Sequence, residues 1–195
     1  MTSHVTPDAV MDAIKLIAGY TYYTGATRQI NMKHATSTLQ ASYDSPLGRI
    51  ILAATGEQLV GVWFDGQRHQ PDTSTWPEAT DHPVLQLAKT QLSEYFAGQR
   101  TTFELPLALD RGSDFQQAVW RALLSVPSGA TVTYGELSQR VGTPAAVRAV
   151  GGAVGRNPLS IVVPCHRVLG ANGALTGYAG GLERKTALLH LEGTR

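Results

Sequence analysis

The 195 residues contain one cysteine, Cys165, so no disulfide can form within the chain, and a reducing cytoplasmic interior is the compartment that fits. No apolar run approaches the length of a membrane-spanning helix. No basic cluster opens the chain, and Asp8 and Asp12 interrupt its first 18 residues, so the N-terminus does not read as a secretion signal. His4, His34, His69, His82, His166 and His190 show no ligand-type spacing with one another or with Cys165, so no metal site is expected. Strong net charge is missing as well, with 16 basic against 15 acidic residues, and 43% of the chain is apolar. Disorder and fibrous repeats are therefore excluded, and there is core enough for one large domain or two small ones.

The near-zero balance hides an asymmetry. Residues 1–111 carry 8 basic and 11 acidic side chains, a net of −3, whereas residues 112–195 carry 8 and 4, a net of +4. The C-terminal part is the candidate for a polyanionic partner, although a mildly basic surface with no partner has the same composition.

Residues 1–38 hold one helical pattern, from Thr6-Pro7 through Val10, Met11, Ile14 and Ile17, to which no function is assigned. From Leu39 the pattern becomes short β-rich runs, Leu39–Tyr43, Arg49–Ala53 and Leu59–Phe64, the signature of an antiparallel meander. After a polar stretch, a helix follows with apolar positions Leu85, Ala88, Leu92, Tyr95 and Phe96, closed by Gly98. Residues 39–111 thus form a small α+β domain, and residues 112–195 a mainly helical one.

In the C-terminal domain, Ser113 with Gln116 and Thr133 with Glu136 are capping boxes that open two helices. Gly142 ends the second, and Thr143-Pro144 is expected to cap a third running from Ala145 to about Val154. This spacing is that of a helix-turn-helix, a pattern that many helical proteins also contain. The third helix is small-sided, with Arg148 as its only long polar side chain. Gly151 and Gly152 each cost about 1 kcal/mol relative to alanine there, which points to a close approach by either a neighbouring helix or a nucleic-acid backbone.

Residues 158–167 read Pro-Leu-Ser-Ile-Val-Val-Pro-Cys-His-Arg, expected as a buried strand that delivers Cys165 and His166 at its end. A thiol attacks as its thiolate, and burial opposes that ionisation, so a reactive Cys165 needs a base or a positive neighbour; His166 and Arg167 are at hand. In extended chain the two side chains would face apart, so a direct hydrogen bond between them needs the chain to turn at Pro164, and a bridging water would otherwise join them. A lone cysteine is equally at home as a small buried hydrophobe.

Pro164-Cys165-His166-Arg167-Val168 resembles the active-site motif of the O6-alkylguanine-DNA alkyltransferases. Five further blocks resemble that family in order and spacing: Phe115–Trp120, Thr133–Leu137, Ala146–Ala153, Arg156-Asn157-Pro158 and Gly177–Leu182, followed by Leu188–Gly193. The strong part spans about 112–193, and the meander resembles the family's N-terminal domain more loosely. The resemblance implies a ribonuclease H-like N-terminal domain and a winged helix-turn-helix-like C-terminal one.

It further implies direct repair of double-stranded DNA by a single-turnover transfer of the alkyl group from O6-alkylguanine, and from O4-alkylthymine, to Cys165. His166 would withdraw the thiol proton through a water, Glu192 would orient His166, Asn157 would hold the turn, and the Tyr134 hydroxyl would donate to the leaving base. The carbonyls of Cys165 and Val168 and the amide of Ala179 would read the base edge, beside Tyr178. Arg148 would fill the space left by the flipped nucleotide, with Ala146, Ala149, Gly151, Gly152 and Arg156 against the DNA. A cytoplasmic monomer without cofactor is implied, with cooperative assembly on DNA left open. Ala179 replaces a serine of several relatives, Gly155-Arg156 reverses the order found in some, and the cysteines of the zinc-containing relatives are missing. A papain-like thiol hydrolase would need a distant histidine and an oxyanion site that the sequence lacks. The remaining alternative is a non-catalytic protein that recognises alkylation damage.

Overall fold

Strand-forming runs broken by two-residue turns build the first half. The computed structural model describes residues 37–194; the helix expected from Thr6 lies outside them. The strands β1 (Thr38–Ser45), β2 (Gly48–Thr55) and β3 (Gln58–Phe64) form an antiparallel sheet in the order β1-β2-β3, as the sequence predicts. Ser45 pairs with Gly48 and Thr55 with Gln58, which fixes two tight hairpins and with them the register.

Because side chains alternate across a strand, Ile50, Leu52 and Ala54 join one buried cluster while Ala53 joins another, with Val60, Trp63 and Trp76. The first face is covered by α1 (Pro83–Phe96), whose Leu85, Ala88, Leu92 and Tyr95 recur at helical spacing and are buried. Residues beyond the sheet occupy the open edge of β3. Leu59 N donates to Pro106 O at 2.8 Å, Val62 N to Pro158 O at 2.8 Å, and Ser160 N to Val62 O at 2.9 Å. The edge is thereby sealed, and the segment leading to Cys165 is anchored on the N-terminal sheet.

The second half is helical: α2 (Asp114–Leu124), α3 (Tyr134–Arg140), α4 (Val147–Gly155) and α5 (Leu182–Leu191). Both capping boxes close reciprocally. Gln116 N donates to Ser113 Oγ at 3.3 Å and Ser113 N to Gln116 Oε1 at 2.9 Å, while Glu136 N donates to Thr133 Oγ1 at 3.1 Å and Thr133 N to Glu136 Oε2 at 2.7 Å. Trp120 Nε1 reaches Ala153 O at 2.9 Å and ties α2 to α4. The short strands β4 (Val132–Thr133) and β5 (Val168–Leu169) pair in parallel and bring Tyr134, at the start of α3, alongside the chain leaving Cys165.

The α4 helix begins later than expected. Ala146 N donates to Thr143 O at 2.8 Å, closing a turn over residues 143–146, and the helix starts at Val147 with no side-chain cap. Ala145 and Ala146 therefore lie before the helix, and Arg148 is on its first turn. Among the described residues no helix is long and apolar enough to cross a membrane, and no group of three or more His, Cys, Asp or Glu side chains is placed to hold a metal ion.

Candidate active site

The apolar run before Cys165 is buried but is not the strand expected for it. It makes one bridge, Leu159 to Val62, and then turns through Ile161, which adopts a left-handed φ of 73°. The turn is held by Asn157, whose Oδ1 accepts from Leu159 N at 3.0 Å and whose Nδ2 donates to Val163 O at 2.8 Å. The same Nδ2 lies 3.1 Å from Cys165 Sγ. Cys165 then opens a single 3-10 turn, Cys165–Arg167, so His166 follows it on a tight bend instead of on the opposite face of a strand.

The electrostatics of that bend follow from its partners. Burial pushes the Cys165 thiol up, against the Asn157 hydrogen bond, the positive charge of Lys185 and the amides of Cys165 and His166, all of which favour thiolate. At rest the group is a thiol that needs a base. His166 is fully buried, and its Nε2 lies 2.9 Å from Glu192 Oε1. Burial holds the imidazole below its usual range despite that carboxylate. Burial also pushes Glu192 upward, but hydrogen bonds from His166 and Arg167 and their charges outweigh it and bring the carboxyl down to about 2. A neutral imidazole facing an ionised carboxylate must carry its proton on Nε2, which leaves Nδ1 as the basic nitrogen. Nδ1 is buried and has no protein partner among the described residues.

Glu192 is the centre of this network. It accepts from Arg167 Nε and Nη2, both at 2.8 Å, and from Tyr95 Oη at 2.8 Å, while Arg167 Nη1 reaches Val126 O at 2.5 Å. The fork of Arg167 on Glu192 matches carboxylate geometry and fixes the oxygen that faces His166.

Cys165 opens into a cavity of about 260 Å³, lined also by Tyr134, Tyr178, Ala179, Gly151, Gly152 and Arg156. Tyr134 Oη donates to Gly177 O at 3.2 Å and lies 3.5 Å from Thr176 O. Burial and the neighbouring Cys165 raise the Tyr134 and Tyr178 phenols, so both are protonated. Val168 N donates to Cys165 O, and Val168 O accepts from Lys185 Nζ, leaving each carbonyl a second lone pair. The carbonyl of Ala179 accepts from Arg68 N at 3.1 Å.

Lys185, Arg68 and His69 are parts of this site that the sequence reading did not single out. Lys185 is fully buried on α5, donates also to Thr176 O at 2.7 Å, and is lowered by burial to about 8. Its signal was present: Lys185, Leu188, Leu189 and Glu192 fall at helical spacing on one stripe, so the charged pair shares the buried face. Arg68 and His69 line the cavity from the loop after β3, and no local pattern announces that.

Outside the cavity, Arg148 and Ala149 on α4 are exposed and Ala146 is half-buried, while at its wall Arg156 folds back so that its Nη1 reaches Gly152 O at 3.1 Å. Among the described residues no neighbouring helix packs closely enough to require the two glycines. A Cβ at Gly151 would meet only the Tyr134 ring at 3.8 Å, an ordinary contact, and one at Gly152 only the flexible end of Arg156 at 3.2 Å.

Comparison with known proteins agrees with this geometry. Residues 38–109 match the family profile described as 6-O-methylguanine DNA methyltransferase, ribonuclease-like domain, and residues 114–194 match the DNA binding domain of the same family. The chain is 49% identical over 152 residues to a methylated-DNA--protein-cysteine methyltransferase of Mycobacterium bovis, covering 78% of this chain and 90% of that protein. It is 47% identical over 155 residues to the Methanosarcina acetivorans protein of the same name, covering 79% and 97%. Among solved structures, the O6-methylguanine methyltransferase of Mycobacterium tuberculosis superposes with a TM-score of 0.73 at 47% identity, over 81% of this chain and 94% of that one. The OGT of that organism in complex with DNA superposes with a TM-score of 0.72 at 46% identity, over 80% and 92%. The paired domains, the thiol in its base-backed cavity and these likenesses lead to one conclusion: the chain belongs to the 6-O-methylguanine DNA methyltransferase family.

Proposed function

We propose that Cys165 takes the alkyl group from O6 of an alkylated guanine in double-stranded DNA, as a methylated-DNA--protein-cysteine methyltransferase that each molecule performs once. The carrying observation is the thiol at the cavity wall beside an imidazole whose Nε2 is locked on Glu192 and whose Nδ1 is left as a base. The Cys165 proton passes through a water to His166 Nδ1, and Sγ attacks the alkyl carbon in line. The S–C bond forms as the C–O6 bond breaks, and the electron pair goes to the guanine ring. Tyr134 supplies a proton or hydrogen bond there, and the restored guanine leaves. The thioether is stable, so turnover stops. O4-alkylthymine presents the same alkyl–oxygen bond in a smaller ring and is a second substrate on this reading.

A base stacked in a duplex cannot reach a buried thiol, so the nucleotide is flipped into the cavity from the minor groove. Among the described residues a Cβ at Gly151 or Gly152 would meet no backbone and no tightly packed side chain, which supports a duplex lying close to α4, and exposed Arg148 is the side chain that enters the stack. Intact mass with peptide mapping tests the transfer. One methyl on Cys165, only with a duplex carrying O6-methylguanine and never more than one per protein, is expected. Tight binding without an adduct would make this a recognition protein, and neither adduct nor binding would reject the reading.

Arg148→Ala tests the flipping step. It is expected to slow transfer from duplex DNA about 10-fold or more, with a much smaller loss on the free O6-alkylguanine base, because only the duplex has a gap to fill. Equal losses on both substrates in a single-turnover assay would remove Arg148 from that role.

A further inference from the structure

The Cys165 cavity is assembled from both halves of the chain. One wall is α4 and the turn after it, with Gly151, Gly152 and Arg156, and Arg68 and His69 of the loop after β3 also line it. Among the described residues that line it there is no carboxylate, although residues 1–111 are net acidic. A basic residue contributed to this cavity by the acidic half is therefore a specific placement and not part of a general surplus. On the reading that a nucleotide enters the cavity, its base reaches Cys165 while its phosphates, too costly to desolvate, stay at the rim among the exposed cations.

Those cations differ in what they have free. Arg156 donates Nη1 to Gly152 O at 3.1 Å, whereas the exposed Arg68 guanidinium has no acceptor among the described residues. The backbone that carries Arg68 is held. Gly66 N donates to Gln70 Oε1 at 2.7 Å, and the buried Gln67 bridges Phe64 N at 3.0 Å and Ser160 Oγ at 3.1 Å. Arg68 N donates to Ala179 O, and His69 sits at a left-handed φ of 64°. This wiring links the loop both to the turn before Cys165 and to the loop over the cavity. It presents a fork of free donors from a fixed main chain, which is the geometry that phosphate recognition uses.

We propose that Arg68 is a phosphate-binding residue, contacting the DNA backbone beside the nucleotide whose base occupies the Cys165 cavity, so that the N-terminal half takes a direct part in holding DNA. The proposal rests on the transfer reading above, and the test separates the two. Affinity of the full-length protein for a duplex bearing O6-methylguanine is measured by fluorescence anisotropy from about 50 to 200 mM salt. Single-turnover methylation of Cys165 is measured in parallel with that duplex and with the nucleoside O6-methyl-2′-deoxyguanosine, which has no phosphate.

Arg68→Ala is expected to lower the slope of log affinity against log salt by about one and to weaken duplex binding about 5- to 10-fold at low salt. Its loss of transfer on the duplex is expected to exceed that on the nucleoside by at least about fivefold, and Arg68→Lys is expected to recover the salt slope, since a point cation still neutralises a phosphate. An unchanged salt slope in Arg68→Ala, or equal losses on nucleoside and duplex, would overturn the proposal and leave Arg68 a wall of the cavity. Wild-type protein that methylates with neither substrate would reject the transfer reading itself, whatever Arg68 does to binding.

Discussion

A Cys165→Ala protein is expected to acquire no methyl group from a duplex carrying O6-methylguanine while still binding that duplex with about wild-type affinity. The loss is complete because nothing nearby can replace the thiol. Cys165 is the only cysteine, and the phenols that line the cavity, Tyr134 and Tyr178, are raised above their ordinary range, so they stay protonated and can donate a hydrogen bond but do not serve as nucleophiles. Folding is expected to survive. Asn157 Nδ2, which lies 3.1 Å from the sulfur, also donates to Val163 O at 2.8 Å, so removing Sγ orphans no buried donor. The cost is that of one buried sulfur atom, about 1 kcal/mol, or a few degrees in Tm for a chain of this length. Intact mass, anisotropy and thermal melting read the three parts, and any adduct on the variant would place the acceptor elsewhere.

Glu192→Ala is expected to damage both stability and chemistry. Arg167 is almost fully buried and makes its fork on Glu192, so deleting the carboxylate strands a buried cation, at a cost of about 3–5 kcal/mol and roughly 10 °C in Tm. Tyr95 Oη also loses its acceptor. Transfer is expected to fall by about 100-fold or more, because the tautomer and orientation of His166 are then unsecured. Glu192→Gln separates the two effects, since it keeps shape and removes charge. Glu192 is one of the influences that raise His166 against burial, so in Glu192→Gln the acid limb of the single-turnover rate should move to lower pH. A purely structural role for Glu192 would leave that limb in place.

The same groups set how the fold responds to acid. Glu192 is lowered in the folded chain from 4.5 to about 2, so the unfolded chain binds its proton first, and the stabilisation of about 3 kcal/mol present above pH 4.5 is lost as the pH falls towards 2. His166 is also lowered, by burial, so below about pH 6.5 the unfolded chain again takes up the proton that the folded one resists. Both slopes have one sign. Stability should decline from about pH 6.5 and steepen below 4.5, and chemical denaturation across that range should show less of the steep part in Glu192→Gln.

Much of this was legible along the chain where the physics is local. The three strands, the α1 stripe of Leu85, Ala88, Leu92 and Tyr95, and both capping boxes are patterns of neighbours within a few residues, and the structure has them. The same locality misled at two places. Residues 158–164 are apolar because they are buried, and burial does not distinguish a strand from a turn; the side chain of Asn157 and the left-handed Ile161 make it a turn. Thr143-Pro144 carries the chemistry of a helix start, yet the backbone closes a turn there first and α4 begins at Val147.

The sequence by itself determined which groups the site has to work with: one thiol, an adjacent imidazole, the carboxylate of Glu192 and a small-sided helix with a single long cation. Only the tertiary structure decided how they are charged and joined. Packing α5 against the 3-10 turn puts the Glu192 oxygens between His166 and Arg167, buries Lys185 beside the thiol, and leaves Nδ1 as the free base. Docking residues 158–160 on the edge of β3 brings Arg68 to a cavity whose thiol lies in the other half of the chain. A pKa and a cavity wall are both properties of what surrounds a group in space, and residues so far apart along the chain become neighbours only when the core between them is packed.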